Sequence, residues 1–318
     1  MPVTTTTPAA SSDSTGAPRS KRFVALDGLR GVAALAVAIG HLWPGFPNTA
    51  LAVDFFFMLS GFVLVHSYAQ RFTQGLQFTQ YFIARCIRLL PLIVVGTLIG
   101  AVASRTVSGL GGMLLIPSPG RAMYPLDPPT WSLFYEMIAS VALGLGLWRT
   151  NHRVSVAIAL LSGAALAVAV EHRGSIDAGW ALETFHYALA RVLYGFSVGA
   201  VLYRLRPAIS HPPLLIVALL GASLLAPIAS PVYQLACLFI LYPYLLAAGA
   251  NAERFGGAEI SGELSYPLYI IHAPVFVLTE GTPKPVSLIA AIICAIVALR
   301  IYDEPLRAYL SRKMKRVI

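Results

Sequence analysis

Charged side chains are scarce in this sequence. Asp, Glu, Lys and Arg make up 12% of its 318 residues, whereas 57% are hydrophobic. An average soluble domain has about twice this share of charged residues, so the composition excludes an ordinary soluble enzyme. Several apolar stretches are long enough to cross a bilayer, and no alternating pattern indicates a membrane barrel. The predicted fold class is therefore all-α, a polytopic membrane bundle.

Cysteine is also rare, and internal repeats are not evident. Cys86, Cys237 and Cys294 are scattered along the chain without metal-ligand spacing, and an odd number gives no disulfide framework. We therefore expect no metal site and no permanently bound cofactor. The lack of a convincing repeat counts against a transporter built from inverted halves. The net charge of +9 is typical of cytoplasmic loops in a membrane chain, so no nucleic-acid partner is expected.

Apolar periodicity predicts about ten spans, and the chain divides into three parts. A Thr-, Ser- and Pro-rich tail over 1–22 is predicted to be disordered, 23–307 to be one membrane domain, and 308–318 to be a basic cytoplasmic tail. The first helix is expected to be an uncleaved signal anchor, and 71–88 a helix on the membrane surface. The predicted spans are 24–43, 50–70, 89–104, 129–148, 154–170, 182–203, 213–228, 232–250, 264–280 and 286–303.

The distribution of basic residues predicts the orientation of the bundle. Sixteen of the 23 Lys and Arg residues fall on the side that would hold both termini, and four fall on the opposite side. Because cytoplasmic loops carry an excess of Lys and Arg, both termini are predicted to be cytoplasmic. The protein would then be a multi-pass membrane protein, surrounded by lipid.

The first predicted span contains one arginine and one histidine. Arg30 and His41 are eleven positions apart, so they fall on nearly the same helix face, roughly 16 Å apart along the axis. Ionisable groups at membrane depth are costly and therefore indicate a functional site. The alternative is that Arg30 extends to the near interface and His41 lies at the far one.

Two carboxylates are predicted to lie in the same leaflet as His41. Asp54 opens the second span, and Glu136 lies one turn inside the fourth, after Trp131 and Ser132. If these groups converge, a carboxylate beside His41 would fix its tautomer and raise its basicity, as a general base requires. The alternative for both acids is favourable placement near a helix N-terminus.

Further polar residues extend this pattern through the membrane. Arg85 and Arg88 lie one turn apart and, with Arg30, would form a cationic patch suited to phosphate or to anionic lipid heads. In the ninth span Ser265, Tyr269 and His272 share a face, although a buried histidine often only hydrogen-bonds a neighbouring helix. A cationic site inside and a histidine site outside fit either an enzyme with a phosphate-bearing donor or a transporter.

Five motifs follow one another along the sequence. They are Leu26-Asp27-Gly28-Leu29-Arg30-Gly31 through His41; Val53-Asp54-Phe55-Phe56-Phe57-Met58-Leu59-Ser60-Gly61-Phe62; Arg85-Cys86-Ile87-Arg88-Leu89-Leu90-Pro91; Trp131-Ser132-Leu133 through Glu136; and Leu264-Ser265-Tyr266-Pro267-Leu268-Tyr269-Ile270-Ile271-His272-Ala273-Pro274. With these motifs the sequence resembles acyltransferase family 3, whose members are integral-membrane O-acyltransferases, over about Phe23 to Arg307. Near the end, Asp303 stands where the family often has glutamate. The resemblance implies a protein of the bacterial cytoplasmic (inner) membrane.

The resemblance implies transfer of an acyl group, usually acetyl from acetyl-CoA, to a hydroxyl of an extracytoplasmic glycan such as an exopolysaccharide, O-antigen or lipid-linked sugar. His41 would be the catalytic base or transient acyl acceptor, with Glu136 orienting it or shuttling protons. Arg30, Arg85 and Arg88 would hold the coenzyme A phosphates. The chain lacks the esterase-like domain of longer members and is expected to act alone or with polysaccharide assembly machinery. Alternatives are a flippase, another acyl group such as succinyl, or a small-molecule acceptor.

Overall fold

The computed structural model describes residues 23–317, and their side chains as far as residue 314. All regular elements in this range are helical, as the composition predicts. The predicted disordered tail at 1–22 lies outside the described residues. The helices are α1 (Val24–Leu42), α2 (Leu51–Thr73), α3 (Phe78–Ser104), α4 (Thr130–Leu145), α5 (His152–Arg173), α6 (Phe185–Leu205), α7 (Pro213–Leu225), α8 (Pro231–Asn251), α9 (Ala258–Leu278), α10 (Lys284–Val297) and α11 (Glu304–Val317).

Seven helical runs in the described part of the chain are long and apolar enough to cross a membrane. They are α1, α2, α3, α5, α8, the run Leu182–Leu205 that contains α6, and the run Lys284–Met314 that joins α10 to α11 through a π-helical turn at Ala298–Asp303. Two further apolar helices, α4 and α7, are shorter. The protein is thus a multi-pass membrane protein, whereas the number of ten spans and the orientation of the termini stay predictions.

One local prediction is wrong. The segment before Leu89 is not a separate surface helix, because α3 runs without a break from Phe78 to Ser104 and passes through Pro91. It begins with a capping box in which the Gln77 side chain and the Gln80 side chain bond each other's backbone N–H. Arg85 and Arg88 therefore lie two to three turns inside a long helix rather than on the surface.

The centre of the bundle is formed by α1, α2, α3, α6 and α9. α1 packs along α9, α2 packs along α6, and α3 packs against the other side of α9. The contact between α2 and α6 depends on small residues, since a Cβ at Gly61 would lie 2.0 Å from the carbonyl oxygen of Phe196. Such small residues allow close backbone approach between helices in membranes. α9 is buried from Ser265 to Val275, so its polar side chains face other helices rather than lipid.

Candidate functional site

Two cavities meet at the buried helix α9. The first, called here the arginine cavity, has a volume of about 140 Å³ and lies between α1, α2, α3, α4 and α9. Its polar lining brings together side chains from all five sequence motifs. These side chains are Arg30, Ser60, Arg85, Arg88, Ser132, Glu136, Ser265 and Tyr269.

The charges of the arginine cavity are only partly compensated. Arg85 donates to the Oε1 atom of Glu136 at 2.6 Å, and both side chains are largely buried. Arg88 lies over the ring of Tyr266, 5.3 Å from its centroid. Neither Arg30 nor Arg88 has a carboxylate partner within the described part of the chain. Two guanidinium groups thus remain available to an anion, and arginine suits phosphate because its planar fork makes paired hydrogen bonds.

A wider opening, called here the vestibule, leads away from the arginine cavity. It has a volume of about 560 Å³ and shares Arg85 and Arg88 with the arginine cavity. Arg71 from α2 and Arg307 from α11 add two more cationic side chains to its lining. Arg307 also forms an ion pair with the buried Asp303 at 2.6 Å. Asp303, the residue that departs from the family pattern, thus holds Arg307 at this opening.

The second cavity, called here the histidine cavity, opens at the other end of α1. Its volume is about 380 Å³, and its lining includes His41, Trp131, Asp177, Trp180 and Tyr269. In contrast to the vestibule, its lining contains no arginine or lysine among the described residues. Arg30 and His41, predicted to share one face of α1, thus lie in different cavities.

The partner of His41 is a second histidine rather than a carboxylate. The Nδ1 atom of His41 lies 2.9 Å from the carbonyl oxygen of Val37 and 3.4 Å from the Nε2 atom of His272. His272 is fully buried, and its Nδ1 atom lies 3.0 Å from the carbonyl oxygen of Leu268. Because a carbonyl only accepts, this network assigns the proton of each imidazole to Nδ1. The Nε2 atom of His41 is then the basic nitrogen.

The expectation that His41, Asp54 and Glu136 converge is wrong. Asp54 is fully buried and forms a paired contact with Arg191, at 2.9 Å to Nε and 2.8 Å to Nη2. Glu136 is held by Arg85. Each carboxylate thus neutralises a buried guanidinium. This pairing is favoured because leaving a buried arginine without a counter-ion would destabilise the folded protein more than losing a contact between an acid and a histidine. Arg191 of α6 is thus the counter-ion of Asp54.

Tyr269 separates the two cavities. It is the one described residue that lines both of them. Its hydroxyl lies 2.8 Å from the Oγ atom of Ser132 and donates weakly to the carbonyl oxygen of Pro129 at 3.4 Å. Ser265 and Tyr269 line the arginine cavity and His272 contacts His41, so the shared face predicted for α9 connects the two cavities.

Two of the candidate residues, Asp27 and Trp131, contribute packing rather than a reactive group. Asp27 is in the first turn of α1, where it packs against Gly262 of α9. Trp131 lines the histidine cavity and also lies over the guanidinium of Arg191, at 5.2 Å. No group of three or more His, Cys, Asp or Glu side chains in residues 23–314 is placed to hold a metal ion.

Sequence reasoning missed a buried acid in the loop before α4. Asp127 is 1% exposed, accepts a hydrogen bond from Thr130 at 2.9 Å, and has no partner for Oδ1 among the described residues. Burial raises the pKa of this carboxyl to about 8. Its position directly before Pro128 and Pro129, at the start of α4, would have been the available signal.

Several membrane-length helices, with a cationic cavity and a histidine cavity along one buried helix, define a multi-pass membrane protein with a polar site inside the bundle. Comparison with known proteins gives the class. Residues 23–301 match the acyltransferase domain of acyltransferase family 3, and the chain belongs to this family. It is similar to Protein 2 in picA locus from Rhizobium radiobacter, with 31% identity over 182 residues, which cover 47% of this chain and 95% of the relative. No solved structure matches.

Proposed function

We propose that this protein is an O-acyltransferase of the bacterial cytoplasmic membrane that moves an acetyl group from cytoplasmic acetyl-CoA to a hydroxyl of an extracytoplasmic glycan. The single observation that carries the proposal is the placement of arginines and a histidine pair in two cavities that share Tyr269. The first can hold an anionic donor, and the second can activate a hydroxyl. Exopolysaccharide, O-antigen and lipid-linked sugars are the acceptors implied, with polysaccharide assembly machinery as a possible partner.

The donor would enter through the vestibule. Arg71, Arg85, Arg88 and Arg307 line this opening, and the predicted orientation places it on the cytoplasmic side, where acetyl-CoA is made. The guanidinium groups of Arg30, Arg85 and Arg88 would bind the phosphates, and the thioester end of the donor would extend through the narrower arginine cavity toward Tyr269. The small volume of that cavity, about 140 Å³, favours a short acyl group over a long chain.

His41 would act as the general base. Its Nε2 atom takes the proton of the acceptor hydroxyl, the hydroxyl oxygen forms a bond to the thioester carbon, and the carbon–sulfur bond breaks. The departing thiolate then takes the proton back from the imidazolium. His272 accepts from Nδ1–H of His41 and so stabilises the transient imidazolium without a buried negative charge. Tyr269 lies between the two cavities, so the acyl group would pass this side chain.

A direct test uses the purified protein in lipid nanodiscs with acetyl-CoA and an acceptor glycan. Release of free thiol together with acetylated glycan is expected, and both should require the acceptor. One turnover of thiol release without acceptor would instead show that a group of the protein carries the acyl group before transfer. No thiol release under any condition, with movement of a sugar or acyl carrier across the bilayer, would contradict the proposal in favour of a flippase.

A further inference from the structure

The loop between α5 and α6 is built to present two side chains. Arg191 donates to the carbonyl oxygen of Ala178 at 2.6 Å, and the backbone N–H of Gly179 donates to the Oγ1 atom of Thr184 at 3.0 Å. The carbonyl oxygen of Trp180 accepts from the N–H of Met123 at 2.9 Å. Three consecutive residues of this loop are thus fixed to the rest of the protein.

Gly179 has a structural reason to be glycine. Its φ angle is +117°, and a Cβ there would lie 2.7 Å from the ring of Trp131. A side chain at this position would be strained and would collide with that ring. The loop backbone therefore packs directly on Trp131 in the wall of the histidine cavity.

The residues on either side of this fixed backbone are exposed. Asp177 and Trp180 both line the histidine cavity, whereas Ala178 and Gly179 between them are buried. Trp180 is 39% exposed, which is a large exposure for an indole. The carboxylate of Asp177 forms no ion pair within the described residues. An indole and a carboxylate on a rigid loop beside a catalytic base have the composition of a ligand site, an apolar surface with a few placed polar groups.

The charge of the histidine cavity limits what binds there. Asp177 is its one carboxylate, and no arginine or lysine lines the cavity in the described range. An anionic ligand would be repelled by Asp177 without a compensating cation. A ring with an apolar C–H face and several hydroxyls fits better, because the face stacks on the indole and the hydroxyls donate to the carboxylate.

We propose that Asp177 and Trp180 form the acceptor subsite, and that it binds a neutral or amine-bearing pyranose while excluding uronic acids. This inference rests on the proposed function and names its substrate class. The pyranose stacks on Trp180, Asp177 accepts hydrogen bonds from its hydroxyls, and a neighbouring hydroxyl lies within reach of His41. The buried pair of Asp54 and Arg191 positions this subsite, because Arg191 holds the Ala178 carbonyl.

The experiment measures binding of three probes to the protein in nanodiscs by saturation-transfer NMR. The probes are methyl glucopyranoside, its 2-amino-2-deoxy analogue and the corresponding methyl glucuronide. The first two should bind, and the glucuronide should bind about fivefold more weakly, the size expected for one exposed charge. Trp180→Ala should lower the affinity for the first two probes about tenfold, whereas Trp180→Phe should bind them with nearly the wild-type affinity. Asp177→Asn should reduce the discrimination against the glucuronide.

Glu183→Gln is the matched control, since Glu183 is an exposed acid of the same loop outside the cavity lining. It should leave all three affinities unchanged. The inference is overturned if wild type binds none of the probes, if it prefers the glucuronide, or if Trp180→Ala binds like wild type. Acetyl-CoA consumption by wild type with a polymeric glycan is followed in parallel. If consumption occurs and the binding results fail, the acceptor subsite is wrong; if consumption is absent, the proposed function is wrong.

Discussion

The vestibule and the histidine cavity differ in charge more than in size. Four arginines and one carboxylate, Glu304, line the vestibule, whereas no arginine lines the histidine cavity in the part of the chain that the structure describes. Aromatic side chains and one carboxylate take their place in the histidine cavity. The two ends of the bundle are therefore suited to different molecules. The vestibule suits an anionic molecule, and the histidine cavity suits an uncharged, ring-shaped one.

The largest expected effect comes from removing the base at the histidine cavity. His41→Ala should lower the rate of acyl transfer by about 10²- to 10⁴-fold, the usual contribution of general base catalysis. Thiol release from acetyl-CoA with acceptor present measures this rate. His186→Ala is the control, because His186 is exposed and contacts Tyr187 outside both cavities. Transfer at the wild-type rate by His41→Ala would assign the base elsewhere.

The next effect concerns stability. Asp54→Asn leaves the buried guanidinium of Arg191 without its counter-ion, so the free energy of unfolding should fall by about 3–5 kcal/mol. Thermal unfolding in detergent measures the change. The control is Arg254→Gln, which breaks the exposed pair of Arg254 and Glu259 and should cost about 0–1 kcal/mol. Equal losses for the two variants would show that the buried pair has no special role.

Removing an uncompensated arginine from the arginine cavity should weaken donor binding. Arg88→Gln is expected to raise the KM for acetyl-CoA about tenfold, because a hydrogen bond to a charged group contributes about 1.5–3 kcal/mol. The turnover number should change little. Arg121→Gln, at an exposed loop residue, serves as the control. An unchanged KM would leave Arg88 as a contact for lipid head groups.

The last effect is the pH dependence of stability. The pKa of Asp127 is raised from 3.8 to about 8 by burial, so the folded state binds a proton that the unfolded state has lost. Wild type should therefore lose stability relative to Asp127→Asn as pH rises from about 4 to about 8, by at most about 1.4 kcal/mol per pH unit. Melting temperatures of both proteins across this range test the prediction. Parallel curves would show that Asp127 is already ionised in the folded state.

Much of the site follows from the sequence because helical spacing is regular. Arg30 and His41 lie on one continuous helix, α1, as the periodicity predicts, and the cationic patch expected of Arg30, Arg85 and Arg88 lines one cavity. Pairing between helices does not follow from periodicity. Asp54 contacts Arg191, 137 residues away, and His41 contacts His272, 231 residues away. Each of these contacts depends on which helices pack together, and a single sequence does not contain that information.

The loops were the least predictable part. Asp177 and Trp180 lie in a segment with no periodicity, and their placement depends on Arg191, Gly179 and Met123. The surface helix predicted before Leu89 failed for a related reason. The polar residues in 78–88 resemble a surface pattern, but in the bundle Arg85 contacts Glu136, and Arg85 and Arg88 line the vestibule.

The most direct test of the account is an assay in sealed proteoliposomes that controls the side of the bilayer on which each substrate is supplied. The protein is reconstituted, and acetyl-CoA and acceptor glycan are supplied on the same side or on opposite sides of the bilayer. Acetylated glycan should form only when acetyl-CoA is at the vestibule side and the glycan is at the histidine side. Product that forms equally well with both substrates on one side would contradict the assignment of donor and acceptor to opposite cavities.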